Sequence, residues 1–278
     1  MFAWDAALLA FGAGVLASAG AFRVIVRRST ARARVAERRA RAAEHLAEVG
    51  AMTGGLAHEI KNPLSTLGMN AQLLGEAVDD LDLPESERAR LVRRTDALRR
   101  ETERLRGILQ DFLEFAGELR LSTADVDLRD VVGELVDFFA PQAESRGVRL
   151  RADLPPDPAR VSVDVPHLKQ AMLNLMLNAT EAMGGRADGR PSELILRVAR
   201  TPGAVELHVT DTGPGMDPET RSRIFRPYFT TKSGGSGLGL PTTRRIIEAH
   251  AGSIDVHAEP GRGTDFVVTL PTGVGEPT

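Results

Sequence analysis

The chain has 278 residues, 42% of them apolar and 26% charged, with a formal net charge of −3. That length accommodates about two folded domains, and the charge balance does not favour a large nucleic-acid surface. Cysteine is absent, which excludes disulfides, thiolate metal sites and cysteine nucleophiles; one Trp and one Tyr leave no stacking platform for single-stranded nucleic acid, so no nucleic-acid partner is expected.

Residues 6–22 carry no charge, whereas the stretch from Arg23 to Arg41 holds eight arginines against the single acid Glu37. An apolar run near the minimum length for a bilayer, followed by a basic block, reads as one membrane helix within residues 1–26. The basic juxtamembrane helix, residues 27–47, then lies on the cytoplasmic side against membrane lipid headgroups. A cleaved signal peptide would carry its positive charge ahead of the apolar core. A buried or partner-binding helix is the other reading of the run. The expected placement is single-pass in the inner (cytoplasmic) membrane with the catalytic part in the cytoplasm. So few residues precede the span that input is expected through the membrane helix or a separate partner protein.

Residues 48–120 form the next unit. Leu46, Val49, Met52, Leu56, Ile60, Leu64, Leu67, Ala71, Leu74, Val78 and Leu81 recur at steps of three and four, as on one face of a helix. Pro84 interrupts, and a second stripe runs through Leu91, Leu98, Leu105, Phe112 and Leu119 in heptad steps. Two helices joined by a short turn make an antiparallel hairpin. One hairpin buries little, so pairing of two chains into a four-helix bundle is expected, making the protein a homodimer.

A linker over 121–127 leads to a domain of mixed period over 128–271, with 272–278 as a tail. Helices are predicted over Leu128–Ser145, Val165–Met183 and Leu240–Ala251. Strands are predicted over Val148–Leu154, Arg160–Asp164, Glu193–Arg200, Ala204–Asp211, Ser253–Glu259 and Thr264–Leu270. The stretch Thr212–Gly239 reads as a loop or lid. Strands and helices alternating in this way form an α/β sandwich, one sheet with helices on one face.

Four groups of residues have the makings of chemistry. His58 lies two positions from both Leu56 and Ile60, roughly 200° around the helix, so it faces away from the seam. A histidine on a solvated helix face is ordinary; its neighbours are not. Glu59 can orient one imidazole nitrogen and leave the other as nucleophile. Asn62 lies one turn on, and Pro63 loosens the helix there. Gln170, Asn174 and Asn178 share a face of one helix despite asparagine's poor helix propensity. They read either as ligands, since carboxamide oxygens suit Mg²⁺, or as satisfied buried amides. Asp211, at a strand end before Gly213 and Gly215, can accept a hydrogen bond from the exocyclic amine of adenine, with glycines that let backbone approach a flat ring. Gly234 to Gly239 open onto a helix whose first N–H groups can bind phosphate, although a glycine run is as often a flexible loop. No Lys-Ser/Thr follows, so it is not a Walker A motif.

In this order the groups resemble sensor histidine kinases of two-component systems. His58-Glu-Ile-Lys-Asn62-Pro63 is similar to their phosphoacceptor box, and Asn174-Leu-Met-Leu-Asn178-Ala179 to their asparagine box. Asp211-Thr-Gly213-Pro-Gly215 and Gly235-Ser-Gly237-Leu238-Gly239 are similar to the two glycine boxes. Ile224-Phe-Arg-Pro-Tyr-Phe229 stands between them as the phenylalanine box, and Gly261-Arg-Gly263-Thr264 matches the last nucleotide-contacting turn. The Asn-Ala-Thr-Glu-Ala-Met ending resembles a variant seen in the nitrogen-regulation-like branch. The resemblance implies an N-terminal membrane helix, an all-α dimerisation hairpin and an α/β two-layer sandwich of the Bergerat (GHKL) ATPase type. It implies ATP and Mg²⁺ as cofactors and a response regulator receiver domain as partner. His58 is then the phosphoacceptor, Glu59 its base, and Asn62 the residue that positions water for dephosphorylating the regulator. Asn178 binds Mg²⁺ with Asn174 beside it, Asp211 reads adenine with Thr264, and Lys232 contacts phosphate. Gly213, Gly215, Gly235, Gly237, Leu238 and Gly239 shape the pocket and lid. The alternatives are a degenerate ATP-binding or phosphatase-only scaffold, and another ATPase of the same nucleotide fold, which would resemble this chain only from Asn174 onward.

Overall fold

The computed structural model describes residues 60–79, 81, 83–184, 191–232 and 234–272. The chain divides into two compact units, Met1–Thr53 and Gly54–Thr278. The predicted membrane helix, the basic helix after it, and both His58 and Glu59 lie outside the described residues. Among the described residues no helix is long and apolar enough to cross a membrane.

Helix α1 spans residues 60–79 and α2 spans Glu85–Ala116. Pro84 stands at the N-cap of α2 with φ −53° and ψ 137°, the extended geometry that ends one helix and starts the next. Arg88 Nη2 donates to Leu81 O at 2.9 Å across this turn, and Glu85 and Glu87 suit the positive end of α2. The two helices run antiparallel at close range. A Cβ on Gly68 would lie 3.6 Å from Thr102 Cγ2, and one on Gly75 3.4 Å from Thr95 Oγ1. The apolar stripe read from the sequence is largely open in the single chain: Leu67 is 57% exposed, Leu74 55%, Leu98 58% and Leu105 44%.

Helix α2 stops at Ala116, where Gly117 turns extended, and its last turn contains no basic residue. Arg245 supplies that charge from elsewhere, donating to Phe115 O and Gly117 O, each at 2.6 Å. Burial pushes its guanidinium below the ordinary arginine value.

Residues 124–127, read from the sequence as connecting chain, form strand β1 (Ala124–Asp127), paired antiparallel with β3 (Arg160–Val163). Four residues with two acids give little strand signal alone; the pairing comes from a partner more than thirty residues away. Asp127 then caps α3 (Leu128–Ser145), accepting from the Arg129 and Ala159 amides at 3.1 Å each. The Arg129 guanidinium against it, aided by those amides, holds its carboxyl down at about 2.

The main sheet has the order β2-β4-β5-β7-β6. Its strands are β2 (Val148–Asp153), β4 (Ser192–Thr201), β5 (Ala204–Asp211), β6 (Ser253–Glu259) and β7 (Gly263–Pro271). β2 and β4 are parallel and the other neighbours antiparallel. Period-two burial along β5 puts Val205, Leu207 and Val209 into the core. Helices α3, α4 (Val165–Met183) and α6 (Gly239–Ala249) cover that face with Phe139, Leu168, Met172, Leu175, Ile246 and Ile247. The opposite face is polar, with His208 Nδ1 3.0 Å from Asp265 Oδ2 and Thr210 donating to Asp265 Oδ1 at 2.8 Å. A short helix α5 (Pro218–Arg223), capped by Asp217, lies inside the stretch read from the sequence as loop. Its six residues are too few for a hydrophobic period to show.

Candidate nucleotide site

Helix α4 positions the asparagines, and its start is fixed from three directions. Asp164 caps it, accepting from His167 N at 3.1 Å. The same carboxylate accepts from Ser122 N at 2.7 Å, just ahead of β1. The Asp164 amide donates to Nε2 of buried His250 at 2.9 Å, while His250 Nδ1 lies 2.8 Å from Ile246 O. These two partners assign the neutral imidazole with its proton on Nδ1. Burial opposes ionisation of Asp164, but the Ser122 and His167 amides and the His167 ring outweigh it and hold the carboxyl down at about 2.

From that start, Leu168, Ala171, Met172, Leu175, Met176 and Ala179 turn into the core. The opposite stripe, Asn174, Asn178 and Glu181, lines a cleft of ≈ 550 Å³, within the range of small-molecule sites. Asn174 Nδ2 donates to Gly239 O at 3.4 Å. Asn178 Oδ1 accepts from Lys232 Nζ at 2.7 Å, and the same ammonium lies 2.5 Å from Glu181 Oε2. Gln170, the third amide of the stripe, instead hydrogen-bonds Glu114 of α2.

Asp211, also in the lining, is 5% exposed and accepts from Gly213 N at 2.7 Å. Strand register sets Thr264 opposite it. Met216, Ile224, Phe229 and Phe266 supply apolar lining, with Phe225 edge-on to Phe266 at 6.4 Å. The lining therefore combines apolar residues around a buried carboxylate, suited to a base, with an amide, carboxylate and ammonium, suited to a phosphate–cation pair.

The glycines serve mainly backbone-to-backbone contact, where the sequence pointed to a flat ring. Gly215 has φ +68°, and a Cβ there would lie 1.9 Å from Glu259 O. Gly263 has φ +90°, with Asp211 O equally close. These two positions interlock the turn after β5 with the β6–β7 hairpin, and Gly261 N donates to Pro214 O at 2.6 Å. Gly235, Gly237 and Gly239 line the cleft. Gly213 does not, acting through its bond to Asp211, and Leu238 is buried outside the lining. Tyr228 adopts φ 63° and donates its amide to Gly237 O at 3.1 Å, joining the phenylalanine segment to the lid. A side chain held there carries strain of about 1–2 kcal/mol.

Asn62 is exposed on α1 and contributes nothing to the cleft lining. One lining residue, Asp111, escaped the sequence reading: it comes from α2 and accepts from Ser236 Oγ at 2.5 Å. Arg104 of the same helix, outside the lining, donates from Nε to Gly234 O at 3.5 Å. No local pattern in α2 signals a role in another domain. Glu181 was legible, since it follows Asn178 by three residues on the same face. The Asn178 and Glu181 oxygens are hard donors that fit Mg²⁺. Among the described residues no group of three or more His, Cys, Asp or Glu is arranged for a metal, so ligand oxygens and water must complete any cation's shell.

Comparison with known proteins agrees with this geometry. Residues 48–117 match the His Kinase A (phospho-acceptor) domain, and residues 163–274 match the Histidine kinase-, DNA gyrase B-, and HSP90-like ATPase. The sensor histidine kinase ZraS of Klebsiella oxytoca is 35% identical over 229 residues, 82% of this chain and 47% of that protein. The signal transduction histidine-protein kinase AtoS of Escherichia coli is 31% identical over 235 residues, 84% of this chain and 37% of that protein. The chain thus spans about half the length, or less, of these relatives. Among solved structures, full-length ShkA in complex with AMPPNP superposes with a TM-score of 0.63 at 28% identity, covering 81% of this chain and 46% of that one. Histidine kinase ThkA in complex with response regulator protein TrrA gives 0.59 at 28% identity, covering 83% and 64%. A helical hairpin carrying a phospho-acceptor segment, followed by an ATPase sandwich with this cleft, places the chain among the sensor histidine kinases.

Proposed function

We propose that the chain phosphorylates itself on His58 from ATP and passes the phosphoryl group to an aspartate of a response regulator receiver domain, with dephosphorylation of that regulator as a further activity. The observation that carries this reading is one cleft lined by buried Asp211 together with Asn178 and Lys232, on the same chain as the His58 box. The similar histidine kinase ThkA, solved in complex with response regulator protein TrrA, supports the partner class, and the AMPPNP in complex with ShkA supports an adenosine triphosphate. The exposed stripe of Leu67, Leu74, Leu98 and Leu105 supports homodimerisation through a four-helix bundle. The ending of the asparagine box supports the nitrogen-regulation-like branch. The apolar run over residues 6–22 and its arginines support a single-pass anchor in the cytoplasmic membrane.

In this mechanism Asp211 accepts the adenine amine, and Thr264 stands beside it. Asn178 and Asn174 hold the phosphate end, where Mg²⁺ neutralises phosphate charge when bound. Glu59 takes the proton from one nitrogen of the His58 ring, and the other nitrogen attacks the γ-phosphorus as the bond to the bridging oxygen of ADP breaks. In the second step the P–N bond breaks as an aspartate oxygen of the partner takes the phosphoryl group. Asn62 holds water when the regulator is dephosphorylated.

The test is incubation with γ-labelled ATP and Mg²⁺. The parent should take up acid-labile, base-stable label, and His58→Gln should take up none. Asp211→Asn should bind ATP about 10- to 100-fold more weakly, the cost of a lost charged hydrogen bond, while staying folded. ATP binding without label on the parent would refute the kinase reading in favour of an ATP-binding scaffold.

A further inference from the structure

The cleft contains an ion pair that the proposed reaction leaves unexplained. Glu181 sits three residues beyond Asn178 on the same face of α4, and the Lys232 ammonium bridges the two, 2.7 Å from Asn178 Oδ1 and 2.5 Å from Glu181 Oε2. The Lys232 and Glu181 side chains are 39% and 44% exposed. A pair so open to water contributes little to stability. A carboxylate at the phosphate end of a nucleotide cleft also repels a polyphosphate, so its presence there needs a reason in the ligand. Two hard oxygens, one of them anionic, converging on one positive charge are the donors that Mg²⁺ takes from proteins before filling its octahedron with water and phosphate oxygens.

We propose that Glu181 is a metal-positioning residue: Asn178 and Glu181 together seat the divalent cation that arrives with the nucleotide. The Lys232 ammonium holds that seat until the cation takes it, then moves to the phosphate oxygens. This rests on the ATP reading given above. Charge is balanced at both stages. Without ligand, Lys232 neutralises Glu181; with metal–nucleotide bound, the cation neutralises Glu181 and the ammonium meets phosphate. Metal-free nucleotide meets a carboxylate that competes for Lys232, so the site selects the complexed form. Because Lys232 belongs to the lid and its partners to α4, metal arrival and lid position become one event.

The full chain serves for the test, with two probes. ADP binding is measured by calorimetry with Mg²⁺ and with EDTA for the parent, Glu181→Gln and Glu181→Asp. Mn²⁺ binding to the nucleotide-free chain is measured by electron paramagnetic resonance for the parent, Lys232→Met and the Lys232→Met/Glu181→Gln pair. The Mg²⁺-dependent gain in ADP affinity should fall about tenfold or more in Glu181→Gln. Metal-free ADP affinity should hold or improve, and Glu181→Asp should recover part of the gain. Lys232→Met should bind Mn²⁺ several-fold more tightly than the parent, an increment the double variant loses. Equal weakening of ADP with and without Mg²⁺ would show a purely structural Glu181 and overturn the proposal, as would unchanged Mn²⁺ affinity in Lys232→Met. If the parent binds no ADP, the ATP reading fails, and the Mn²⁺ comparison alone decides whether the seat exists.

Discussion

Asp164 is a junction whose removal has a calculable cost. Replacing it with alanine removes the N-cap of α4, about 0.5–2 kcal/mol. It also leaves the part-buried Ser122 amide without its acceptor, about 1–3 kcal/mol. A loss of about 2–4 kcal/mol should lower Tm by roughly 5–15 °C for a domain of this size. Acid adds a second signature. The folded carboxyl titrates at about 2 against an ordinary 3.8, so the unfolded chain binds more protons in that interval and stability rises with pH. The contribution is fully present above about pH 5, fades as pH falls toward 2, and amounts to about 2 kcal/mol. Asp127, also held at about 2, contributes a similar amount and persists in the variant. Asp164→Ala should therefore lose clearly less stability than the parent between about pH 5 and 3, with the Asp127 share remaining. Trp4 is the sole tryptophan and lies far from this junction in sequence, so urea unfolding should be followed by far-UV circular dichroism. A cost under about 0.5 kcal/mol, or an unchanged dependence on pH, would refute the reasoning, since surface substitutions alone give that little.

Two further outcomes are expected. Gly215→Ala should destabilise by more than about 3 kcal/mol and abolish ATP binding, while Gly261→Ala should cost only about 1–2 kcal/mol; both have positive φ, but only Gly215 faces a carbonyl, and Gly261 has open space. Equal costs in urea unfolding would show that φ alone matters. Asp111→Ala releases Ser236, so trypsin should cut after Lys232 faster than in the parent; an unchanged rate would show that this hydrogen bond does not restrain the lid.

Local patterns made much of this molecule legible. The period-two alternation of 204–211 and the helical period of 128–145 and 165–183 announce β5, α3 and α4 from neighbouring residues alone, and the asparagine stripe follows from helix geometry. What stayed hidden depends on distance in sequence. β1 is a strand only because β3 pairs with it. Asp111 lines the cleft only because α2 packs beside the lid. Gly215 and Gly263 were legible as glycines but not in their purpose, because the chain they accommodate lies some fifty residues away. His250 reads as one more histidine until Asp164 N and Ile246 O fix its two nitrogens.

The bond between Arg245 and the end of α2 makes α6 a lever. Arg245 sits in the middle of α6, and about 9 Å of that helix separates Arg245 from Gly239, which starts the helix against Asn174. Rotation of α2 about its axis moves the Phe115 and Gly117 carbonyls that the guanidinium grips, and a rigid rod delivers that torque to the wall of the cleft. Grip and release are discrete, because two charge-assisted hydrogen bonds either hold or break. Twist arriving along the hairpin would therefore reach the ATPase domain as a step, one engaged state exchanged for another, with no gradual scale between them.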